Sequence, residues 1–186
     1  MSTGKVWLVG AGPGAAGLFP RKGYEVLKAA EVVVYDSLVG AGVLSMIPEG
    51  AKTIDVGKRA SHHTMPQEEI NQVLLREAEK GYRVVRVKGG DPFLFGRGGE
   101  ELELLTEHGI PYEVVPGVTS PLAVPAYNGI PVTHRDFTSS LHIITGHKRA
   151  GQAYDIDFEA LVHTKGTLVF LMGVTALPDI CAHLLE

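Results

Sequence analysis

Short runs of branched apolar residues punctuate the first part of the chain at wide, regular intervals: Lys5-Val6-Trp7-Leu8-Val9, Val32-Val33-Val34-Tyr35, Thr53-Ile54-Asp55-Val56, Val84-Val85-Arg86-Val87 and Tyr112-Glu113-Val114-Val115. Most are bounded by Gly or Pro, and each reads as a short strand. Between most of them the apolar positions switch to a helical period. Pro20 to Ala30 reads as a helix with Pro20 at its start. After Pro66, Ile70, Val73, Leu74 and Ala78 fall on one face, and Gly81 closes the helix. A third helix is predicted from Glu100 to His108 with Gly109 behind it, and a fourth from Pro121 to Tyr127. Strands alternating with helices predict an α/β fold with a parallel sheet.

The character changes at Asn128-Gly129-Ile130-Pro131, and a domain boundary is expected near Pro131, giving an N-terminal α/β domain over 1–130 and a second part over 131–186. The second part offers strands at Leu141 to Thr145 and Thr167 to Leu171, a short helix near Phe158 to Val162 and a helix from about Thr175 to Leu185. That is thin for an independent sheet. The expectation is therefore an incomplete second α/β domain.

The stretch with the most chemistry follows the fourth strand: Gly89-Gly90-Asp91-Pro92-Phe93-Leu94-Phe95-Gly96-Arg97-Gly98-Gly99-Glu100-Glu101. Paired glycines at a strand's carboxyl end let backbone approach a ligand closely, and that edge is where open α/β sheets bind small molecules. Pro92 holds Asp91 extended, so the carboxylate has a fixed direction. Thr119 and Ser120 bring hydroxyls and backbone N–H groups to another strand end, suited to a carboxylate or a ribose, although Ser120 would equally serve as a helix cap. Asp36 ends the second strand beside Ser37-Leu38-Val39, poor residues for a solvated loop. It reads either as a turn cap or as a half-buried carboxylate able to act as a general base.

Near the amino terminus, Gly10-Ala11-Gly12-Pro13-Gly14-Ala15 satisfies a dinucleotide-binding fingerprint, and Asp36 stands where the ribose acid would be expected. The helix, however, must begin on the third small residue to aim its amino end at a pyrophosphate. Pro20 starts it much later. A nicotinamide-dependent oxidoreductase is thus the weaker alternative.

Charge narrows the partners. The net charge is −4, from 17 Lys and Arg against 21 Asp and Glu, which disfavours nucleic acid. The cations nevertheless cluster at strand ends: Lys58, Arg59, His62 and His63; Arg86, Lys88 and Arg97; His134 and Arg135; His147, Lys148 and Arg149. A positive crevice on an acidic protein would suit a small polyanion. Adjacent His62 and His63 lack a third ligand at matching spacing, so no metal is expected. The lone Cys181 allows no internal disulfide, and no apolar run approaches the roughly 20 residues of a membrane helix. A cytoplasmic protein is expected.

GGDPFLFGRGGEE, with VPGVTS after it and GAGPG near the start, resembles the S-adenosylmethionine-dependent uroporphyrinogen-III C-methyltransferases of the tetrapyrrole methylase group, over about residues 5 to 175. The resemblance implies two α/β domains with the active-site cleft between them, a homodimer, and S-adenosyl-L-methionine as methyl donor with no metal. It implies two methyl transfers to uroporphyrinogen III, giving precorrin-2 through precorrin-1 on the route to cobalamin and sirohaem. A relative acting on another precorrin is the nearest competitor.

It further makes Asp36 the proton acceptor and Lys58 a proton donor or carboxylate anchor. Arg59 and Arg97 would bind substrate carboxylates through their donor forks. Pro13, Gly89, Gly90, Asp91, Leu94, Thr119, Ser120 and Met172 would hold the cofactor. The chain departs from the family pattern after GAGPG, where Ala15-Ala16-Gly17-Leu18-Phe19-Pro20 replaces the usual Asp-Pro, two leucines and a threonine. Any role for an acid in that loop is lost with it.

Overall fold

The computed structural model describes residues 3–57, 65–147 and 156–185. Among them a five-stranded, all-parallel sheet runs in the order β3-β2-β4-β1-β5, built from β1 (Lys5–Gly10), β2 (Val32–Tyr35), β3 (Lys52–Asp55), β4 (Arg83–Lys88) and β5 (Tyr112–Val115). β4 is central, with Val85 paired in register to Trp7 of β1 and to Val33 of β2.

Alternation along each strand sends side chains to opposite faces, and each face is covered. On one, Val6, Leu8, Val32, Val34 and Val84 pack under α3 (Gln67–Glu79) and α4 (Gly98–Glu107) through Ile70, Val73, Leu74, Ala78 and Leu105. On the other, Val9, Val33, Val85 and Val87 pack under α1 (Arg21–Lys28) and α2 (Ala41–Leu44) through Leu27 and Val43. The parallel α/β layer is the one the apolar pattern predicts. The four-residue α2 has no counterpart in that prediction because it is too short to show a helical period.

Edge strand β5 is tied back by Glu113, which accepts from Lys5 Nζ at 2.9 Å and Trp7 Nε1 at 3.2 Å and also pairs with Lys22. Lys22 and then Lys5 hold its carboxyl well below the usual range, at about 2.

The chain divides into two compact units, Met1–Ser120 and Pro121–Glu186. The division precedes the boundary expected near Pro131. Neither apolar cluster of the first unit includes a residue beyond Val115, so α5 (Ser120–Tyr127) falls almost wholly outside that core. The Asn128-Gly129 turn marks where α5 stops, and a turn signal reports the end of an element rather than the end of a core. The second unit holds β6 (Leu141–Thr145) and β7 (Thr167–Leu171), paired parallel, with α6 (Phe158–His163) between them in sequence and α7 (Leu177–Leu185) after them. The strand ranges match the expectation residue for residue.

Candidate active site

All five parallel strands end on one edge of the sheet. The chain leaves the adjacent strands β1 and β4 in opposite directions, since β1 connects to β2 across β4 and β4 connects to β5 across β1. Such a switch point forms the ligand crevice of an open α/β sheet. Here the loops that meet at it are locked backbone to backbone. Ala11 N–H donates to Lys88 O (2.7 Å), Gly12 N–H to Gly90 O (3.1 Å) and Gly90 N–H to Gly12 O (2.8 Å).

Side chains would not fit there. A Cβ on Gly10 would lie 2.6 Å from Gly117 Cα, and one on Gly117 would lie 2.7 Å from Gly10 Cα. Gly89 abuts Leu38 of the loop after β2, where a Cβ would come within 2.6 Å of Leu38 Cβ. Gly90 is different. Its φ is +66°, and the space beyond its Cα is bounded by Thr119 Cα at 3.9 Å and Oγ1 at 4.0 Å.

Asp91 makes this arrangement rigid. Its Oδ1 accepts from Phe93 N–H (2.9 Å) and Leu94 N–H (3.2 Å), and its Oδ2 accepts from Gly117 N–H (3.1 Å). The fixed direction expected from Pro92 is present. What the carboxylate does with it is to clamp its own loop to the loop after β5. Pro13, Leu94, Thr119 and Ser120 are half-buried on these same loops. The first unit thus gathers Pro13, Asp36, Gly89, Gly90, Asp91, Leu94, Arg97, Thr119 and Ser120 along one edge.

The cations of β4 depart from expectation. Arg86 and Lys88 do not line a positive crevice. Both are buried on the α3–α4 face, where Arg86 Nε (3.2 Å) and Lys88 Nζ (2.8 Å) donate to one oxygen of Glu101, itself 0% exposed. Arg86 Nη2 donates to Asp36 Oδ2 at 3.1 Å, and Leu38 N–H donates to Asp36 Oδ1 at 3.0 Å. Two cations meet two anions, as burial of charge demands. Burial, and then the charge on Arg86, push the Lys88 ammonium below its ordinary range despite Glu101. Asp36 keeps 22% of its side chain exposed, so a group at the sheet edge can still reach it.

Arg97 is exposed and bidentate on Glu100, with Nε to Oε1 at 2.7 Å and Nη2 to Oε2 at 2.6 Å. That pair raises the Arg97 pKa and lowers that of Glu100. Phe95 (φ 52°) and Arg97 (φ 56°) both adopt the left-handed region without being glycine, and non-glycine residues held there concentrate at functional sites. In the second unit Met172, after β7, shares the feature (φ 55°) and is exposed, not a core methionine. His134 and Arg135 are exposed in that unit as well. Lys58, Arg59, His62, His63, Lys148 and Arg149 lie outside the described residues. Among the described residues no three His, Cys, Asp or Glu side chains are placed to hold a metal ion.

The dinucleotide alternative loses its geometry. α1 starts at Arg21, after a 3-10 turn at Ala16–Leu18. The Gly12 N–H that would face a pyrophosphate is spent on Gly90, and β4 separates β2, with Asp36, from the glycine turn of β1.

Glu101 and Gly117 are the site-supporting residues that sequence reasoning missed. For Glu101 there was a signal: alternate cations Arg86 and Lys88 on a strand buried on both faces require an anion from the covering helix. For Gly117 there was none, because its partner is backbone.

A sequence model of the family described as Tetrapyrrole (Corrin/Porphyrin) Methylases matches residues 5–186. The chain belongs to that family. Among curated tetrapyrrole methylase relatives, it is 58% identical over 177 residues to the porphyrin biosynthesis protein HemD of Ruminiclostridium josui, covering 95% of this chain and 35% of that protein. It is 55% identical over 183 residues to the siroheme synthase of Escherichia coli O1:K1 / APEC, covering 98% of this chain and 40% of that one. The chain thus spans well under half the length of these relatives.

Solved tetrapyrrole methylase structures share its fold. The uroporphyrin-III C-methyl transferase of Thermus thermophilus complexed with S-adenyl homocysteine superposes with a TM-score of 0.81 at 43% identity, over 98% of this chain and 72% of that one. The cobalt precorrin-4 methyltransferase CbiF gives 0.84 at 30% identity, over 97% and 74%.

Proposed function

We propose that this tetrapyrrole methylase transfers methyl groups from S-adenosyl-L-methionine to ring carbons of uroporphyrinogen III, giving precorrin-2 through precorrin-1. The observation that carries the reading is the open, left-handed Gly90 facing Thr119 at the switch point, in a loop cluster clamped by Asp91. The S-adenyl homocysteine complex of the Thermus thermophilus relative supports the same donor. S-adenosyl-L-methionine supplies a methyl on a sulfonium, which an electron-rich pyrrole carbon takes as the carbon–sulfur bond breaks.

The residues present fit such a donor. Gly89 and Gly90 form a floor without side chains, Thr119 and Ser120 add hydroxyls, and Pro13 and Leu94 add half-buried apolar contact. Met172, in the second unit, is the remaining donor residue that the family resemblance implies. No metal is required, because alignment in a water-poor cleft provides most of the acceleration. The pyrrole carbon that gains the methyl already carries a side chain and no hydrogen, so the macrocycle, left cationic when the methyl–sulfur bond breaks, must shed a proton from another ring position. Asp36 is the acceptor in this reading, partly exposed and held by Arg86 and Leu38 N–H. Lys58 serves as proton donor, and Arg59 and Arg97 hold substrate carboxylates, Arg97 exchanging Glu100 for one of them.

The chain works as a homodimer in the cytoplasm in this reading. Exposed Leu122, Val124 and Tyr127 on α5 support self-association. The lone, exposed Cys181 supports a reducing compartment, and no helix among the described residues is long and apolar enough to cross a membrane.

Incubation with radiolabelled methyl donor and uroporphyrinogen III tests the assignment. Label should enter the tetrapyrrole in wild type and fall about 100-fold or more in Asp36→Asn, the usual contribution of a general base. Label in another precorrin but not in uroporphyrinogen III would reassign the substrate.

A further inference from the structure

We infer that Glu101 and Arg86 form a buried strut that positions Asp36 for proton removal, acting on the reaction without touching substrate; the inference rests on the reading of Asp36 as the acceptor. β4 places Arg86 and Lys88 two residues apart, hence on one face, and α4 lowers Glu101 onto them. Glu101 Oε1 takes Arg86 Nε at 3.2 Å, Lys88 Nζ at 2.8 Å and Gln67 Nε2 of α3 at 3.3 Å. Arg86 spends Nη1 on Val87 O at 3.0 Å, which leaves Nη2 aimed at Asp36 Oδ2, 3.1 Å away at the tip of β2.

The guanidinium is planar, so fixing Nε and Nη1 fixes the direction of Nη2. Arg86 is 3% and Glu101 0% exposed, whereas Asp36 is 22% exposed. The chain of contacts therefore runs from a dry interior to a carboxylate that solvent and substrate can reach. Lys88 completes the charge balance, two cations against two anions, without contacting Asp36. Its task is to keep Glu101 from drawing Arg86 wholly away from the strand tip. Glu101 directly follows the Arg97–Glu100 pair, so the strut also couples the glycine-rich loop to the tip of β2.

The test uses the purified protein with Arg86→Lys, Glu101→Gln and Asp36→Asn, alone and combined. Arg86→Lys keeps the buried charge but replaces a fork by a single point, so it is the variant expected to fold even if Glu101→Gln does not. Thermal melts identify the folded variants. In these, kcat should fall about tenfold or more while KM for uroporphyrinogen III and the calorimetric affinity for S-adenosylhomocysteine stay within about twofold. In the Asp36→Asn background neither change should lower turnover further, because residues acting through one group are not additive.

Losses that multiply in that background, or KM and affinity worsening together with kcat, would mean that the strut only supports the fold. Wild-type turnover in Asp36→Asn would remove the acceptor assignment and this inference with it. A crippled Asp36→Asn beside fully active Arg86→Lys would remove this inference alone.

Discussion

Gly117 donates its backbone N–H to Asp91 Oδ2 across 3.1 Å, joining the loop after β5 to the loop after β4. Because Asp91 Oδ1 also accepts from Phe93 and Leu94 N–H, one carboxylate fixes the wall and floor of the crevice together. Asp91 thus holds from behind the crevice in which the proposed donor would sit.

Asp91→Ala removes all three acceptor contacts and leaves partly buried N–H groups unpaired, a loss of about 1–3 kcal/mol where such groups stay dry. Affinity for S-adenosylhomocysteine should fall by a corresponding factor of about 5 to 150 in calorimetry. Unchanged affinity would detach the clamp from the donor site.

Gly117→Ala forces a Cβ to within 2.7 Å of Gly10 Cα. Backbone has to move, at a cost of about 1–3 kcal/mol, and the thermal midpoint should drop. Gly17→Ala is the matched control: nothing lies within 4 Å of its Cβ position and its φ is not positive. Its midpoint should stay at or slightly above wild type.

Arg97→Gly relieves a left-handed residue that costs about 1–2 kcal/mol in an L-residue and loses only an exposed ion pair, worth about 0.2–1 kcal/mol. Stability should hold or rise in denaturant unfolding while methyl transfer to uroporphyrinogen III falls. A variant that is both more stable and fully active would show that the strain serves no substrate contact.

Glu113, held down to about 2 from an ordinary value of 4.5 by Lys22 and Lys5, binds its proton more weakly folded than unfolded. Its stabilising contribution is therefore present above about pH 4.5 and lost as pH falls through 2. Glu113→Gln should flatten the acid limb of the stability curve in that window and leave neutral-pH turnover unchanged.

Leu105 of α4 is wholly buried between α4 and the sheet. Leu105→Ala should cost about 2–5 kcal/mol and, by loosening the helix that carries Glu101, lower turnover at temperatures where the fold survives. Chemical denaturation and turnover at two temperatures separate the effects.

The inner strands of the first sheet were legible because a strand buried on both faces is mostly apolar, so Val32 to Tyr35 and Val84 to Val87 announce themselves locally, whereas the edge strands β3 and β5 are partly exposed and are marked instead by Gly57, Pro111 and Pro116 beside them. The glycine-rich loops were legible as places of close approach, since Gly90 needs φ +66° and no side chain tolerates the Gly10–Gly117 contact. Arg86 and Lys88 misled for the same local reason: a cation beside a glycine loop looks like a ligand contact until its burial is known. The boundary expected near Pro131 rests on a turn signal, and turns, not cores, leave marks in sequence.

Residue order alone settled most element types, the parallel layer and which loops must approach one another closely, since these follow from periodicity and backbone sterics acting over a few residues. Sheet order, the pairing of Arg86 with Asp36 and Glu101, and the spending of Asp91 on Gly117 were decided only when distant segments met. Charge burial and hydrogen-bond satisfaction are properties of a place in space, and Asp36, Arg86 and Glu101 come from three separate elements to fill one.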